Sequence, residues 1–146
     1  MKKIMLIGQV GSGKTSLTQA LNNEKVEYKK TQAMEYSNLV IDTPGEYIEN
    51  RIYYNALITE AVDADIIGLI QPCNKELSIF PPGFGSIFSK PVIGIITKMD
   101  LCVEDKDIKT SEEYLIEAGA EEIFKVSVIE NLGIENIKSY LHWNNS

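Results

Sequence analysis

The chain has 146 residues, 44% of them hydrophobic, which is enough for one domain over residues 1–146 to bury a core of its own. Its 21 acidic against 14 basic residues give a formal charge of -7, which repels nucleic-acid backbone and anionic membrane surfaces and sets both aside as partners. No apolar run approaches the ~20 residues of a membrane helix, and Cys73 and Cys102 alone make no disulfide framework, so the composition suits a reducing cytoplasm.

The opening Met1-Lys2-Lys3 leads into Ile4-Met5-Leu6-Ile7, an apolar run that stops at Gly8 with no small-residue cleavage site after it. It reads as a buried strand rather than a leader. Similar short runs rich in Ile, Leu and Val recur, so strands are predicted at Lys3–Ile7, Leu39–Asp42, Asp65–Ile70, Pro91–Thr97 and Glu122–Ser127. A sixth is considered near Tyr28–Tyr36. Between them, Leu17, Ala20 and Leu21 share one helical face, as do Ile48, Ile52 and Ala56, and then Ile134, Ile137 and Leu141. A helix near Glu112–Ala118 is bracketed by a capping-box pattern, Thr110 with Glu113, and by Gly119 where a left-handed residue belongs.

From Gln71 to Lys90 the chain mixes Pro72, Pro81, Pro82, Gly83 and Gly85 with Ile79, Phe80, Phe84, Ile87 and Phe88. That is too broken for a regular helix and too aromatic for a solvated linker. It reads as a packed functional loop or a docking surface, Phe80 to Phe88, or else as aromatics that cover the sheet edge.

Gly8-Gln9-Val10-Gly11-Ser12-Gly13-Lys14-Thr15 follows the first strand and opens the first helix, matching G-x-x-x-x-G-K-[ST] in the context that gives it meaning. A chance match in a chain of this size has odds of roughly one in two hundred at average residue frequencies, so a phosphate loop is the expectation. Glycines let backbone N–H groups turn inward around a polyphosphate, and the helix start adds partial positive charge. Lys14 is expected to reach the β and γ oxygens, and Thr15 to place its hydroxyl on Mg2+. The candidate nucleotide-binding run is therefore Gly8 through Ser16. Together with the alternating strands and helices, it predicts an α/β three-layer P-loop NTPase fold: a mostly parallel sheet of five or six strands with helices on both faces.

Asp42-Thr43-Pro44-Gly45, at the end of the second predicted strand, resembles the DxxG element of Ras-like GTPases. That likeness implies that Asp42 holds Mg2+ through water and that the Gly45 amide senses the γ-phosphate. Thr97-Lys98-Met99-Asp100 resembles the N/TKxD element that reads guanine, with Thr97 in place of the commoner Asn and Lys98 covering the base plane with its stem. Ser127-Val128-Ile129 stands where those proteins have SAK, without its lysine. Switch I is short, and Thr31 is its candidate for a second Mg2+ hydroxyl. Glu46 occupies the place of the glutamine that orients the attacking water; it is turned away, or acts as a base, or with Glu49 favours a helix start. Arg51 is the chain's one candidate for a built-in arginine finger, and without such a finger, or charge from Lys29 or Lys30, hydrolysis is expected to be slow. His142 reads as a solvated residue.

Taken together, the phosphate loop, Lys30-Thr31-Gln32-Ala33, Asp42-Thr43-Pro44-Gly45-Glu46-Tyr47, Phe80-Pro81-Pro82-Gly83-Phe84 and Thr97-Lys98-Met99-Asp100 resemble the EutP/PduV family over nearly the whole chain. The resemblance implies a role in ethanolamine or propanediol utilisation, in the cytoplasm or at a bacterial microcompartment. It leaves three readings open: a GTPase-like regulatory or assembly NTPase, an ATP-dependent acetate kinase, or a nucleotide-bound module that docks to a shell or enzyme protein through Phe80 to Phe88.

Overall fold

The computed structural model describes residues 1–28, 39–75 and 77–143. Its strands are β1 (Ile4–Ile7), β2 (Val40–Asp42), β3 (Ile66–Pro72), β4 (Val92–Thr97) and β5 (Glu122–Lys125). Among the described residues they form one all-parallel sheet in the order β2-β1-β3-β4-β5. The expected sixth strand falls on residues outside the described ones, except Tyr28, which ends a helix.

The period of two along each strand sorts the apolar residues into two cores. Met5, Ile7, Ile67, Leu69 and Ile96 share one face, and Ile4, Leu6, Ile66, Ile70, Ile93 and Ile95 the other. The helices are α1 (Lys14–Tyr28), α2 (Glu46–Glu49), α3 (Tyr54–Ala61), α4 (Asp105–Glu117) and α5 (Ile134–Tyr140). Through Ile48, Leu57, Ala61 and Leu115, α2, α3 and α4 cover the first face; through Leu17, Leu21, Ile134 and Ile137, α1 and α5 cover the second. The sheet is thus the middle of three layers. Because every connection is a parallel crossover, all strands end on one edge, and the winding reverses beside β1. That is where ligands of open α/β sheets gather.

Three local expectations are corrected. Ile52 is 74% exposed rather than facing the core with Ile48. Asn50, extended at φ -139° and ψ 124°, breaks the expected helix, and its side chain caps a 3-10 turn at Arg51–Tyr53, so the helical period restarts in α3. The Thr110–Glu113 capping box does not form either. Helix α4 begins earlier, with Asp105 and Asp107 at its positive end, and the Thr110 hydroxyl donates to the Lys106 carbonyl at 2.8 Å inside it. Gly119 closes that helix at φ +113°, as its position implied. The two cysteines are joined: Cys73, just after β3, and Cys102 form a disulfide with Cα atoms 6.1 Å apart.

The segment from Phe80 to Phe88 also departs from the docking-surface expectation. Phe80, Phe84 and Phe88 are 5%, 3% and 7% exposed and belong to the core. Phe84 meets Tyr54 and Phe88 edge-on, at ring separations of 5.2 and 5.6 Å. The backbone is pinned as well, since Gly83 N donates to Glu117 O at 2.7 Å and Gly85 N to Ala118 O at 2.6 Å. The prolines and glycines shape a lid over the sheet, the covering role that the composition also allowed. Phe84→Ala is expected to lower stability by about 3–5 kcal/mol in denaturant unfolding. A loss below about 1 kcal/mol would mean that the ring contributes no core packing.

Candidate functional site

The turn from β1 into α1 wraps a cleft of about 370 Å³. Its wall is Gln9, Val10, Gly11, Gly13, Lys14, Thr15 and Ser16, with Gly45 and Lys98 opposite. Gly13 is glycine for two reasons: its φ is +93°, and a Cβ there would lie 3.3 Å from the Thr97 side chain. Gly8 and Ser12 are buried behind the wall rather than part of it, and among the described residues the Ser12 hydroxyl has no hydrogen-bond partner.

Lys14 reaches across the cleft to the end of β2. Its Nζ donates to Asp42 Oδ1 at 2.7 Å and to the Thr43 carbonyl at 2.5 Å. The lysine side chain is 9% exposed and the carboxylate 39%, so the ammonium has exchanged water for two fixed oxygens while Asp42 remains open to solvent. Thr43, itself buried, anchors this end of the strand by donating its hydroxyl to Leu6 O at 2.8 Å.

Past Asp42 the chain closes over the loop. At Gly45 a Cβ would lie 2.6 Å from Val10 N, a contact that only glycine permits. Next to it, Val10 N donates to Glu49 Oε2 at 3.3 Å, so an acidic side chain of α2 holds an amide of the phosphate loop. Motif comparison missed Glu49 in this role because the residue lies outside DxxG. The catalytic candidates are not gathered in the same way. Glu46 opens α2 and is exposed, Arg51 is exposed in the following turn, and neither lines the cleft. Thr31, Lys29 and Lys30 lie outside the described residues.

The end of β4 is bolted to the same loop. The Thr97 hydroxyl donates to Ser12 O at 2.5 Å, and Lys98 Nζ donates to Gly11 O at 2.7 Å. Lys98 is held at φ +59°, which turns the chain so that Asp100 faces a second cavity of about 200 Å³. This cavity shares Gly13, Ser16 and Lys98 with the first, so the two adjoin. Asp100 is oriented from behind: the buried Ser127 donates its hydroxyl to Asp100 Oδ1 at 2.7 Å. Ser127 therefore acts through Asp100 and does not line the cavity, whereas Val128 does. Leu101 and Ile129, 54% and 85% exposed, complete an apolar slot. Neither was singled out from sequence, although two exposed aliphatics directly flanking motif residues are the signal that finds them.

Two oxygen donors suited to a hard divalent cation belong to this region: the Thr15 hydroxyl, at the start of α1 in the cleft wall, and the Asp42 carboxylate at the end of β2, which reaches the cleft through its bond to Lys14. The residues present thus fit Mg2+, with phosphate oxygens and water left to complete its shell. No helix among the described residues is long and apolar enough to cross a membrane.

With this geometry in view, the comparisons with known proteins agree on the family. The chain is 46% identical to the propanediol utilization protein PduV of Citrobacter freundii over 142 residues, covering 97% of this chain and 94% of that one. It is 36% identical to a protein of Escherichia coli (strain K12) named probable acetate kinase EutP, over 97% of this chain and 89% of that one. Among solved structures, the FeoB G-domain from Methanococcus jannaschii superposes with a TM-score of 0.62 at 21% identity, over 97% of this chain and 95% of that one, a likeness of fold. The family model described as "Ethanolamine utilisation - propanediol utilisation" matches residues 1–143, and the chain belongs to this PduV-EutP family.

Proposed function

We propose that the chain is a magnesium-dependent guanine-nucleotide-binding protein with GTPase-type chemistry, serving ethanolamine or propanediol utilisation. The observation that carries this reading is the Asp100 carboxylate, held by Ser127 in the lining of an apolar slot that adjoins the phosphate cleft. A carboxylate there accepts two hydrogen bonds from the N1–H and N2–H edge of guanine, a donor pair that adenine does not present. Leu101 and Ile129 offer aliphatic surface to the base, and Lys98 contributes its stem while its ammonium stays on Gly11.

In this reading Lys14 exchanges Asp42 for the β and γ oxygens, and the released carboxylate joins the Thr15 hydroxyl in holding Mg2+. When bound, the ion neutralises charge on the β and γ phosphates. Among the described residues little else is supplied for hydrolysis, since neither Arg51 nor Glu46 lines the cleft. Unaided turnover is therefore expected to be slow, on the order of 10⁻³ per second or below, unless charge comes from Lys29, Lys30 or a partner.

Titration with GTP and ATP in the presence of Mg2+, followed by phosphate release with and without acetate, tests the assignment. GTP is expected to bind about a hundredfold more tightly than ATP, the worth of two charge-assisted hydrogen bonds, and acetate is expected to change nothing. Equal affinities would remove Asp100 as a base reader, and acetyl phosphate formed from ATP and acetate would make the chain an acetate kinase instead. Lys14→Ala is expected to weaken triphosphate binding by about a hundredfold or more, because it removes the cation facing the β and γ oxygens; unchanged affinity would contradict that role. The Glu49 contact generates a further expectation. An incoming γ-phosphate competes with its carboxylate for the Val10 amide, so Glu49→Gln should tighten GTP binding about threefold to tenfold and leave GDP nearly unchanged in calorimetry. Equal effects on both nucleotides would place Glu49 outside γ-phosphate sensing.

A further inference from the structure

The cysteine pair stands at the base-recognition turn, and nothing in the nucleotide reading uses it. Cys73 follows β3 directly, is 1% exposed, and donates its amide to Thr97 O at 3.0 Å. Cys102 directly follows the 3-10 turn Met99–Leu101, is half-buried, and donates its amide to Met99 O at 3.2 Å. Their disulfide ties the far end of that turn to a central strand. Between the two anchor points, Thr97 and Cys102, lie Lys98, Asp100 and Leu101, three residues of the base cavity. The geometry also accommodates the dithiol. Cys73 Sγ lies 3.1 Å from Lys98 O, so as a thiol it donates to the carbonyl of the residue held at φ +59°. The two residues are unequally exposed, Cys102 being half-buried and Cys73 buried.

We propose that Cys73 and Cys102 form a reversible thiol–disulfide site whose oxidation state sets how firmly the Lys98–Leu101 turn holds a nucleotide base. The co-reactant is a small disulfide such as glutathione disulfide. The Cys102 thiolate attacks one of its sulfurs, breaking the S–S bond, forming a mixed disulfide and releasing one thiolate. Cys73 gives up its proton and its thiolate then attacks the Cys102 sulfur, closing the protein disulfide and releasing the second thiol. Two protein thiols are oxidised, one disulfide is reduced to two thiols, and the reverse exchange reopens the bridge. In the bridged form the turn is pre-organised, so binding spends less on ordering it; in the dithiol form its far end is held by hydrogen bonds and by the packing of Met99 and Cys102 on the core, without a covalent tie.

This inference rests on the base-site reading above. To test it, the full chain is reduced with dithiothreitol or oxidised with glutathione disulfide, its thiols are counted by alkylation and mass spectrometry, and release of a fluorescent GDP analogue is timed. Release from the oxidised chain is expected to be about tenfold slower than from the reduced chain. Cys102→Ser is expected to release at the reduced rate under both treatments, and the oxidised wild type to revert on reduction. Equal release from forms that alkylation shows to be bridged and open would overturn the inference alone, as would two free thiols persisting after oxidation. Failure of both forms to bind the analogue would overturn the nucleotide reading, and this inference with it.

Discussion

A single ammonium organises the site. Lys14 leaves the start of α1 and, among the described residues, is satisfied by Asp42 Oδ1 and Thr43 O, both at the end of β2. A cation this buried without partners costs several kcal/mol, so the loop after β1 and the end of β2 must be brought together. Sheet geometry makes that possible, because Leu6 and Asp42 are register partners in adjacent parallel strands and Thr43 ties itself back to Leu6 O. The same two oxygens make Lys14 available to phosphate, since the open carboxylate is a partner that a polyphosphate and its cation can replace.

The loop is held from the other flank by the turn after β4, to which the proposed function gives the base. Thr97 and Lys98 both donate to loop carbonyls, those of Ser12 and Gly11. Replacement of the commoner Asn by Thr97 therefore keeps a side-chain donor pointed at the phosphate loop. The missing lysine of the Ser127-Val128-Ile129 segment has a different consequence: Val128 and Ile129 make the slot aliphatic on that side, and Asp100 is left as its carboxylate. The turn after β4 and the loop after β1 are thus joined by two hydrogen bonds.

What could be read from the sequence follows how local the determining interactions are. The five strands are legible because each is apolar on both faces, and Gly8 to Thr15 because its glycines, lysine and threonine are contiguous. The face containing Ile52 was misassigned because Asn50, one residue with a capping side chain, resets the helical phase. Thr110 matched a capping pattern yet lies inside α4, where tertiary packing of Leu115 outweighs a local hydrogen-bonding preference. The Phe80 to Phe88 segment is ambiguous by composition, and only its backbone bonds to the end of α4 decide that its rings face inward. The disulfide and the Val10 to Glu49 contact join residues 29 and 39 positions apart, beyond the range of any local pattern.

The central claim is that Lys14 and Asp42 form an exchangeable pair at a triphosphate site. A crystal structure of the chain with Mg2+ and a non-hydrolysable GTP analogue tests it most directly. Lys14 Nζ is expected within hydrogen-bond distance of the β and γ oxygens, with Asp42 turned toward the ion and the base edge on Asp100. Lys14 still paired with Asp42 while the nucleotide sits elsewhere would contradict it.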